Sequence, residues 1–286
     1  MEVSVVIPFR NAAAHLADQL EALASQEFNG EWEVVLVDNG STDDSHAIAD
    51  AFVGRLNARI VQARDGIGAG YARNVGARNS AGRKLIFADA DDQVAPGYLA
   101  AMAAGLDRYD FVTSAFDHRA LNPEWVQSAH GPFWRDPEDP LLVQAGVLPF
   151  AGGSIAISRE VFEKVGGFPE DLPRMQDIAF SWEVQFAGTT LHHVPGAVYR
   201  VRYRDTLLGL FLQGLAGGST APLLYRRYRG AGMIRRSVAG MLRSRARLVV
   251  RLLSARSRSD LAPLMLELGR EIGRLRGSLR QRVFFP

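Results

Sequence analysis

The stretch from Lys84 to Asp92 constrains the fold of this chain more than any other. It begins with a short apolar run, Lys84–Ala88, which predicts a buried strand. Three carboxylates follow within four positions, at Asp89, Asp91 and Asp92. Ligands of an open parallel α/β sheet bind beyond the carboxyl ends of its strands. The stretch therefore predicts an acidic ligand site at the edge of such a sheet.

Two interpretations of these three acids fit the residues. One is an acidic turn that caps the following helix, whose first turn would contain Pro96. The other is a metal site, because crowded carboxylates repel one another and a divalent cation offsets that repulsion. Mg²⁺ and Mn²⁺ prefer carboxylate oxygen and can bridge it to a diphosphate. The residues around the three acids help to decide between a helix cap and a metal site.

Strands and helices alternate around this stretch. Apolar runs predict further strands at residues 3–7, 33–38, 59–63 and 110–116, with helices between them. This alternation over residues 3–116 predicts an α/β fold with a mostly parallel, doubly wound sheet. At the strand ends, Pro8 is expected to stop the first strand and Asn11 to cap the first helix. Ser41 and Asp44 are expected to form a capping box for the second helix.

The second half of the chain is less regular. Prolines and aromatic residues interrupt residues 117–148, so an irregular loop region over a site is expected there. A strand whose glycines permit close backbone approach is expected at 150–157. Helices ending at Gly166 and Gly188 and an extended segment over 191–204 follow, and from Thr206 the chain is expected to be helical. No apolar run approaches 18 residues and no basic leader is present, so neither a membrane span nor a signal peptide is expected.

Three predicted strand ends meet at one edge of the sheet, at Pro8, Asp38 and Asp89. Asp38 fits either a turn that caps the next helix or an acceptor for a base or ribose. Arg73 lies at the head of a helix, where it could be structural or could bind a diphosphate. The glycine run over residues 66–76 matches neither the dinucleotide fingerprint nor a P-loop, so it does not define a site by itself.

Six segments, taken in order and spacing, resemble family 2 glycosyltransferases. They are Val5–Asn11, Val37–Asp43, Ala72–Gly76, Phe87–Asp92, Gly166–Glu170 and Gln176–Trp182. The resemblance covers residues 3–204. It implies the GT-A fold, a nucleotide-diphosphate sugar donor, Mn²⁺ or Mg²⁺ at the DXD acids, and inversion at the anomeric carbon.

The resemblance also implies roles for individual residues. Those expected to line the nucleotide-sugar site are Pro8, Arg10, Asp38, Arg73 and Asp89. Asp91 is expected to hold the metal together with Asp89. Asp177 is expected to be the general base, which takes the proton of the acceptor hydroxyl as that hydroxyl attacks. The alternative for Asp177 is a helix N-cap, a role it could fill at the same time.

Two positions depart from the family pattern. Gln176 stands where the family usually has glutamate, which removes a negative charge beside Asp177. Glu183 stands where the family often has arginine. Some relatives also supply a histidine metal ligand after the last strand, but here that segment reads Tyr199–Arg204, so no protein ligand is expected there.

The charge of the chain is strongly asymmetric. Residues 225–286 hold 16 arginines and three acidic residues, a formal charge of +13, which leaves −11 for the rest of a chain with a net charge of +2. A helix is expected over 236–256. Its apolar stripe is Val238, Met241, Leu242, Val249, Leu252 and Leu253, and its basic row is Arg243, Arg247 and Arg251. Such a helix fits an anionic membrane surface or packing on the acidic body. Nucleic acid is not expected as a partner, because few aromatic residues lie among the arginines.

These observations predict a GT-A catalytic domain over residues 1–204 and a basic helical extension over 205–286. Within the domain, 1–116 would bind the donor and 117–204 would face the acceptor. The expected activity is metal-assisted, inverting sugar transfer to a cell-surface glycan or a lipid-linked acceptor, at the cytoplasmic face of the membrane. The alternatives are a retaining transferase or nucleotidyltransferase on the same core, and a non-catalytic nucleotide-sugar-binding or scaffold protein. The chain has no cysteine, which excludes disulfides and thiolate metal sites.

Overall fold

The computed structural model describes residues 1–130, 142–143, 147–235 and 237–286. The chain divides into two compact units. The first, called the sheet unit, comprises Met1–Asp117, Asp136–Leu142 and Pro149–Arg202. The second, called the helical unit, comprises His118–Arg135, Val143–Leu148 and Tyr203–Pro286.

Ten strands and ten α-helices are described. The strands are β1 Val3–Phe9, β2 Trp32–Asp38, β3 Ala58–Gln62, β4 Lys84–Phe87, β5 Gln93–Val94, β6 Phe111–Asp117, β7 Leu142–Val143, β8 Pro149–Phe150, β9 Ile155–Ser158 and β10 His192–Arg200. The helices of the sheet unit are α1 Leu16–Ala24, α2 Ser45–Val53, α3 Ala69–Arg78, α4 Tyr98–Leu106, α6 Arg159–Val165 and α7 Gln176–Phe186. Those of the helical unit are α5 Glu124–His130, α8 Leu207–Tyr228, α9 Val238–Ser254 and α10 Arg258–Gln281.

Eight of the strands form one sheet in the order β3-β2-β1-β4-β9-β6-β10-β5. β3, β2, β1 and β4 pair in parallel, as do β6 and β10. β9 lies antiparallel between β4 and β6, and β5 is antiparallel to β10. The predicted α/β fold with a mostly parallel sheet is therefore confirmed. The parallel pairing of β2, β1 and β4 brings their carboxyl ends to one edge.

The strands β1, β2 and β4 are mostly apolar and buried because both faces of the sheet are covered there. Val5 and Ile7 of β1 point into a core that includes residues of α1, α2 and α4. Val6, between them, points into a second core that includes residues of α3, α6 and α7. Strands buried on both faces lose the alternation of apolar and polar residues. This burial is why the strands could be recognised as continuous apolar runs.

The expectation that Pro8 stops the first strand is wrong, since β1 continues to Phe9. Pairing with β4 ends at Val6, so beyond that point only β2 flanks β1. A proline, which has no backbone N–H to donate, is tolerated in a strand where one side is open.

The expected caps of the first two helices are also wrong. Asn11 has a positive φ of 51°, and α1 begins only at Leu16. Instead of capping, the Asn11 side chain accepts a hydrogen bond from the backbone N–H of Thr42 at 2.8 Å. The Ser41 hydroxyl accepts one from the Asn11 N–H at 3.2 Å, and no side-chain cap bond is present at the start of α2. These side chains join two turns to each other.

The expected strand at 150–157 is broken in two. β8 ends at Phe150 and β9 begins at Ile155, and Gly152 between them has a φ of +61°, which does not fit a strand. The helix ends at Gly166 and Gly188 are confirmed, with φ values of +82° and +98°. In the region expected to be irregular, residues 124–130 form α5, whereas 131–141 and 144–146 lie outside the described residues.

The predicted helical structure from Thr206 onward is confirmed, and the helical unit is built on a close pairing of α8 and α10. Glycines line this contact: a Cβ on Gly214 would overlap the carbonyl oxygen of Leu266, and one on Gly273 would overlap that of Leu215. The spacing of four residues between such glycines recurs on both helices, at Gly214 and Gly218 and at Gly269, Gly273 and Gly277. Small residues at this spacing let two helix backbones touch.

One helix of this unit, Leu207–Ala231, is long and apolar enough to cross a membrane, with a mean hydropathy of 1.4 over its best window. Length and composition alone do not distinguish a membrane span from a core helix, so the expectation that no membrane-spanning helix is present stays a prediction. Of that window, 39% is buried inside the structure. The buried core helices of globular proteins pass the same test of length and composition.

Candidate active site

The site is organised around Asp89, which follows β4. One oxygen of its carboxylate forms an ion pair with Nη2 of Arg73, a residue of α3. The backbone N–H of Asp89 donates to the hydroxyl of Tyr199 at 2.6 Å, and its carbonyl accepts from Nε2 of Gln19 at 3.0 Å. Contacts from α1, α3 and β10 thus hold this single residue in place.

The guanidinium of Arg73 is buried and only partly satisfied. Its Cζ lies 5.3 Å from the centre of the Phe168 ring, which supports the cation from one side. Its Nε and Nη1 have no hydrogen-bond partner among the described residues. A buried donor without a partner is unusual in a native protein. The arrangement leaves two guanidinium nitrogens of Arg73 without an acceptor in the described part of the chain.

The three acids of the DXD segment repel one another. Burial raises the pKa of Asp89, and the charges of Asp91 and Asp177 raise it further against the effect of Arg73. Burial also raises the pKa of Asp92 well above its usual range, with Asp91 and Asp89 adding to the effect. The influence of Asp177 on Asp89 shows that the structure brings the predicted base and the DXD acids together.

Asp177 is the second residue of α7, so it is not the N-cap. The N-cap position belongs to Met175, which has a φ of +60° and provides no side-chain cap bond. The preceding side chain, Gln176, is buried, and its Oε1 has no partner among the residues described. A Cβ on Gly70 of α3 would lie 3.5 Å from Cγ of Gln176, so the starts of α3 and α7 are neighbours.

Gly153 lies directly against the acids. A Cβ at this position would be 2.8 Å from Oδ2 of Asp89 and 3.7 Å from Oδ2 of Asp92. The predicted close approach of a glycine in this segment is therefore confirmed, and any larger residue would displace the carboxylates.

The third acid, Asp92, ties the DXD segment to the end of β10. Its Oδ1 accepts a hydrogen bond from the backbone N–H of Arg202 at 2.7 Å. The Arg202 side chain donates through Nε to the carbonyl of Asp91 at 3.0 Å, and through Nη2 to Asp18 at 2.8 Å. Sequence reasoning missed Arg202, because no local pattern shows a contact between residues 110 positions apart.

The other predicted site residues lie at the ends of β1 and β2. In the register of these strands Pro8 is opposite Val37, which places it next to Asp38. Asp38 is buried and accepts from the Ser41 N–H at 2.8 Å; its other oxygen is 3.2 Å from Nδ1 of His46. Although burial opposes ionisation, hydrogen bonds, chiefly from Ser41, lower the pKa of Asp38. Arg10 is exposed in the bend that follows β1.

Two asparagines that sequence reasoning did not single out hold the loops around the site. Asn39 donates to the carbonyl oxygens of Ala63 at 2.6 Å and Gly66 at 2.8 Å, and thereby orders the loop before α3. Asn74 of α3 donates to the carbonyl of Phe168 at 2.9 Å and accepts from the Phe168 N–H at 2.8 Å. Asn39 directly follows Asp38 in the sequence and Asn74 directly follows Arg73. This position next to a predicted site residue was the only signal in the sequence that could have identified them.

Among the side chains that the structure describes, no group of three or more His, Asp or Glu residues is arranged to hold a metal ion. Asp89 and Asp91 offer two carboxylates at most. A divalent ion that keeps water and diphosphate oxygens among its ligands requires only one or two carboxylates from the protein. The mutual repulsion of the acids fits such an ion, whereas the donor set does not fit an all-protein cage.

The sequence model of glycosyl transferase family 2 matches residues 4–166, more than half of the chain. The chain belongs to this family. The expectation of a glycosyltransferase is thus confirmed at the level of the family.

Characterised relatives are similar over part of the chain. Poly(ribitol-phosphate) beta-N-acetylglucosaminyltransferase TarS of Staphylococcus aureus is 33% identical over 185 residues, which are 63% of this chain and 32% of TarS. A PGL/p-HBAD biosynthesis glycosyltransferase of Mycobacterium bovis is 36% identical over 127 residues, 43% of this chain and 49% of that protein. The chain thus spans about a third to a half of the length of these relatives.

Solved structures share the fold. The structure of S. aureus TarS 1-349 in complex with UDP-GlcNAc matches with a TM-score of 0.58 at 18% identity. The match covers 100% of this chain and 93% of the TarS 1-349 chain. A mannosyltransferase of Pyrobaculum calidifontis in complex with GDP-Man and Mn²⁺ matches with a TM-score of 0.67 at 17% identity. The match covers 98% of this chain and 87% of the mannosyltransferase. The GT-A fold with a helical C-terminal part is therefore confirmed.

Proposed function

We propose that the sheet unit transfers a sugar from a nucleotide-diphosphate donor to a hydroxyl of an acceptor. The observation that carries the proposal is the buried Arg73 guanidinium, which pairs with Asp89 and keeps two donors without partners. A diphosphate oxygen satisfies such donors with charge-assisted hydrogen bonds. The relatives solved with UDP-GlcNAc and with GDP-Man support this class of donor.

Pro8, Arg10 and Asp38 would lie on the nucleoside side of the donor. Asp38 already accepts hydrogen bonds within its own turn, so its proposed part in recognition is to shape the pocket and to offer any remaining lone pair. Arg73 and Asp89 would lie at the diphosphate. Family resemblance and the shared edge of β1, β2 and β4 support this placement.

Asp89 and Asp91 would hold Mn²⁺ or Mg²⁺ together with the diphosphate. Such an ion neutralises the charge that gathers on the leaving diphosphate. The Arg73 guanidinium would share that work from the protein side. The relative solved with Mn²⁺ supports the choice of a divalent ion.

Asp177 would accept the proton of the attacking hydroxyl. The bond from that oxygen to the anomeric carbon forms as the bond to the diphosphate breaks, and the proton passes to the Asp177 carboxylate. A single displacement of this kind inverts the anomeric configuration and needs one carboxylate on the acceptor side. A retaining enzyme would give the opposite anomer, so the configuration of the product distinguishes the two.

The proposed acceptor is a cell-surface glycan or a lipid-linked precursor, and the proposed place of action is the cytoplasmic face of the membrane. The names of TarS and of the mycobacterial relative, which refer to poly(ribitol-phosphate) and to PGL/p-HBAD biosynthesis, support an acceptor of this class. Gln176 keeps open the alternative of a protein that binds a nucleotide-sugar without turning it over.

The base is tested with Asp177→Asn, which keeps the shape of the side chain but cannot take the proton. UDP-GlcNAc and GDP-mannose are offered with Mn²⁺, and release of the nucleoside diphosphate is measured. We expect donor affinity to persist while turnover falls about 10²- to 10⁴-fold. Glu183→Gln, the same chemical change on the same helix, serves as the control.

A fall below threefold in Asp177→Asn, with chemistry shown to be rate-limiting, would place the base elsewhere. A large fall in Glu183→Gln instead would identify that residue as the base. If the unchanged protein binds a donor and never releases the diphosphate, the non-catalytic alternative is correct.

A further inference from the structure

Helix α9 buries part of its apolar surface and exposes the rest. Met241 and Leu248 are buried and form the inward face. A second set of apolar residues is exposed, from 49% at Val238 to 85% at Leu253. This set, called the outer stripe, is Val238, Leu242, Val249, Val250 and Leu253. The apolar stripe expected from the sequence thus has a buried edge, which includes Met241, and an exposed part, which belongs to the outer stripe.

Contacts with α10 set the orientation of α9. The Arg245 side chain donates to Glu271 at 3.1 Å, and the Ser244 hydroxyl donates to Glu267 at 3.2 Å. Both residues lie on the inward side with Met241 and Leu248. The packing of α9 within the helical unit thus accounts for its inward face and leaves the outer stripe unexplained.

The basic row lies next to the outer stripe. At about 100° per residue, the outer stripe occupies roughly a third of the helix circumference, and Arg243, Arg247 and Arg251 follow directly beside it. Arg243 and Arg247 are exposed, and Arg251 is 53% exposed while it pairs with Glu267 at 3.6 Å. The surface of α9 therefore passes from apolar to cationic within one side of the helix.

The other long helices of the unit also expose large apolar side chains. On α10 these are Ile272, Leu275 and Leu279, and Arg276 and Arg280 beside them are exposed. On α8 they are Leu208 and Leu212. Single exposed apolar residues are ordinary, but sets that recur at helical spacing and are bordered by cations indicate an interaction surface.

We propose that α9 lies flat on an anionic lipid surface, with the outer stripe in the boundary between headgroups and acyl chains and its arginines on the lipid phosphates. A guanidinium group binds a phosphate with two parallel hydrogen bonds, and a negatively charged leaflet attracts basic segments. A second copy of the chain fits this face poorly, because it would bring another unit with a charge of +13 over residues 225–286 against the same arginines. The proposal does not depend on the sugar-transfer activity.

The packing of α8 argues for a surface position and not for a span. Its glycine face is closed by α10, whose Arg270 lies at the contact, and α10 also carries the ion pair of Glu271 and Arg274. Burying these charges in a hydrocarbon core would be costly. A helical pair of this kind can lie at the interface, where the charged side chains reach water.

The proposal is tested first by sedimentation of the full chain with vesicles. Vesicles of phosphatidylglycerol and phosphatidylcholine are expected to bind it at low salt, and binding is expected to weaken in high salt because the charges are screened. Vesicles of phosphatidylcholine alone are expected to bind weakly. Arg243→Gln with Arg247→Gln should reduce binding at least tenfold, whereas the same charge change at the exposed Arg83 and Arg108 of the sheet unit should reduce it less than twofold.

The orientation of α9 is tested with a label, which the absence of native cysteine makes specific. Leu253→Cys and Ser254→Cys, neighbours on different sides of the helix, each receive a polarity-sensitive fluorophore. The label at 253 should shift to the blue on addition of anionic vesicles, and the label at 254 should shift much less. Circular dichroism checks that both variants keep their helices.

Failure of the intact protein to bind anionic vesicles at low salt would overturn the proposal, as would equal shifts of the two labels. A blue-shifted label at 253 without vesicles, together with a concentration-dependent increase in mass by light scattering, would show that a second copy covers the stripe instead. None of these outcomes bears on donor turnover, so failure here is distinct from failure of the proposed function.

Discussion

At the scale of single residues, Arg73 connects the structure of the site with its proposed chemistry. A buried guanidinium with two unused donors destabilises the unliganded protein, since each lost hydrogen bond to water goes uncompensated. The ion pair with Asp89 and the ring of Phe168 offset part of that loss. The remainder becomes available as binding free energy when an anion occupies the site.

Arg73→Lys tests this interpretation because it keeps the charge and removes the fork of donors. Lysine is a point charge on a flexible stem and lacks the planar fork of donors with which arginine can hold a carboxylate and a phosphate in one fixed geometry. We expect the affinity for UDP with Mn²⁺ to fall about 10- to 100-fold, the range of one charge-assisted hydrogen bond. Calorimetry measures it.

Arg78→Lys is the control, because Arg78 is exposed at the end of the same helix. Its affinity for UDP should match that of the unchanged protein. If Arg73→Lys also binds UDP normally, the two free donors face no ligand, and the diphosphate site must be assigned to other residues.

The predicted residues differ in how far local sequence could define them. Asp89 and Asp91 were found because strand and acid are adjacent in the chain. The roles of Asp92 and Arg202 could not be found, because their contact closes a loop of 110 residues and leaves no periodic signal. Gly153 was predictable as a close approach, but not the carboxylate that it approaches.

At the scale of elements, Glu33 ties together the amino ends of the parallel strands. It lies on β2, is buried, and accepts from the Ser4 hydroxyl of β1 at 2.6 Å and from the Ala81 N–H before β4 at 2.7 Å. Its second oxygen pairs with Arg59 of β3. The Glu33 carboxylate thus contacts β1, β3 and the turn before β4.

Glu33→Ala should lower the free energy of unfolding by about 2–4 kcal/mol, because the hydroxyl of Ser4 and the N–H of Ala81 lose their acceptor. Urea unfolding at pH 7 measures the change. Glu31→Gln, an exposed change two residues earlier, should stay within about 0.5 kcal/mol. An equal effect at both positions would show that the buried contacts add nothing.

The same group predicts a dependence of stability on pH. Burial opposes ionisation of Glu33, but hydrogen bonds from Arg59, Ala81 and Ser4 outweigh it and lower the pKa below the ordinary value of 4.5. A lowered pKa in the folded state stabilises the protein above 4.5, and this stabilisation is lost as the pH falls through the folded value. The slope of stability against pH below 4.5 should therefore be shallower in Glu33→Gln than in the unchanged protein.

Elements were predicted well where burial alone determines them and poorly where turn chemistry does. The strands of the parallel half are mostly apolar on both faces, so their existence could be predicted from the apolar runs. The starts of α1 and α2 were misplaced, because Asn11 and Ser41 bond to each other's turns instead of to the helices that follow them. The break at Gly152 depends on a positive φ that an otherwise strand-like sequence does not reveal.

At the scale of the whole molecule, the chain combines two units with different compositions and their own cores. The sheet unit has apolar clusters on both faces of its sheet, and the helical unit has a cluster that includes Leu210 and Leu266. The charge difference between +13 over residues 225–286 and −11 elsewhere follows much the same division. If each core is large enough to keep its own unit folded, the two units unfold separately.

Hydrogen exchange in the presence of ligand tests whether they do. UDP with Mn²⁺ at about 100 times its dissociation constant adds about 2.7 kcal/mol to the stability of whatever it binds, which slows exchange through global unfolding about 100-fold. We expect this slowing in peptides from β1 and β4, and no change in peptides from α8 and α10. EDTA should remove most of the effect if Asp89 and Asp91 hold the ion.

Equal slowing in both sets would show that the units unfold as one body. No slowing at all would show that the sheet unit does not bind UDP.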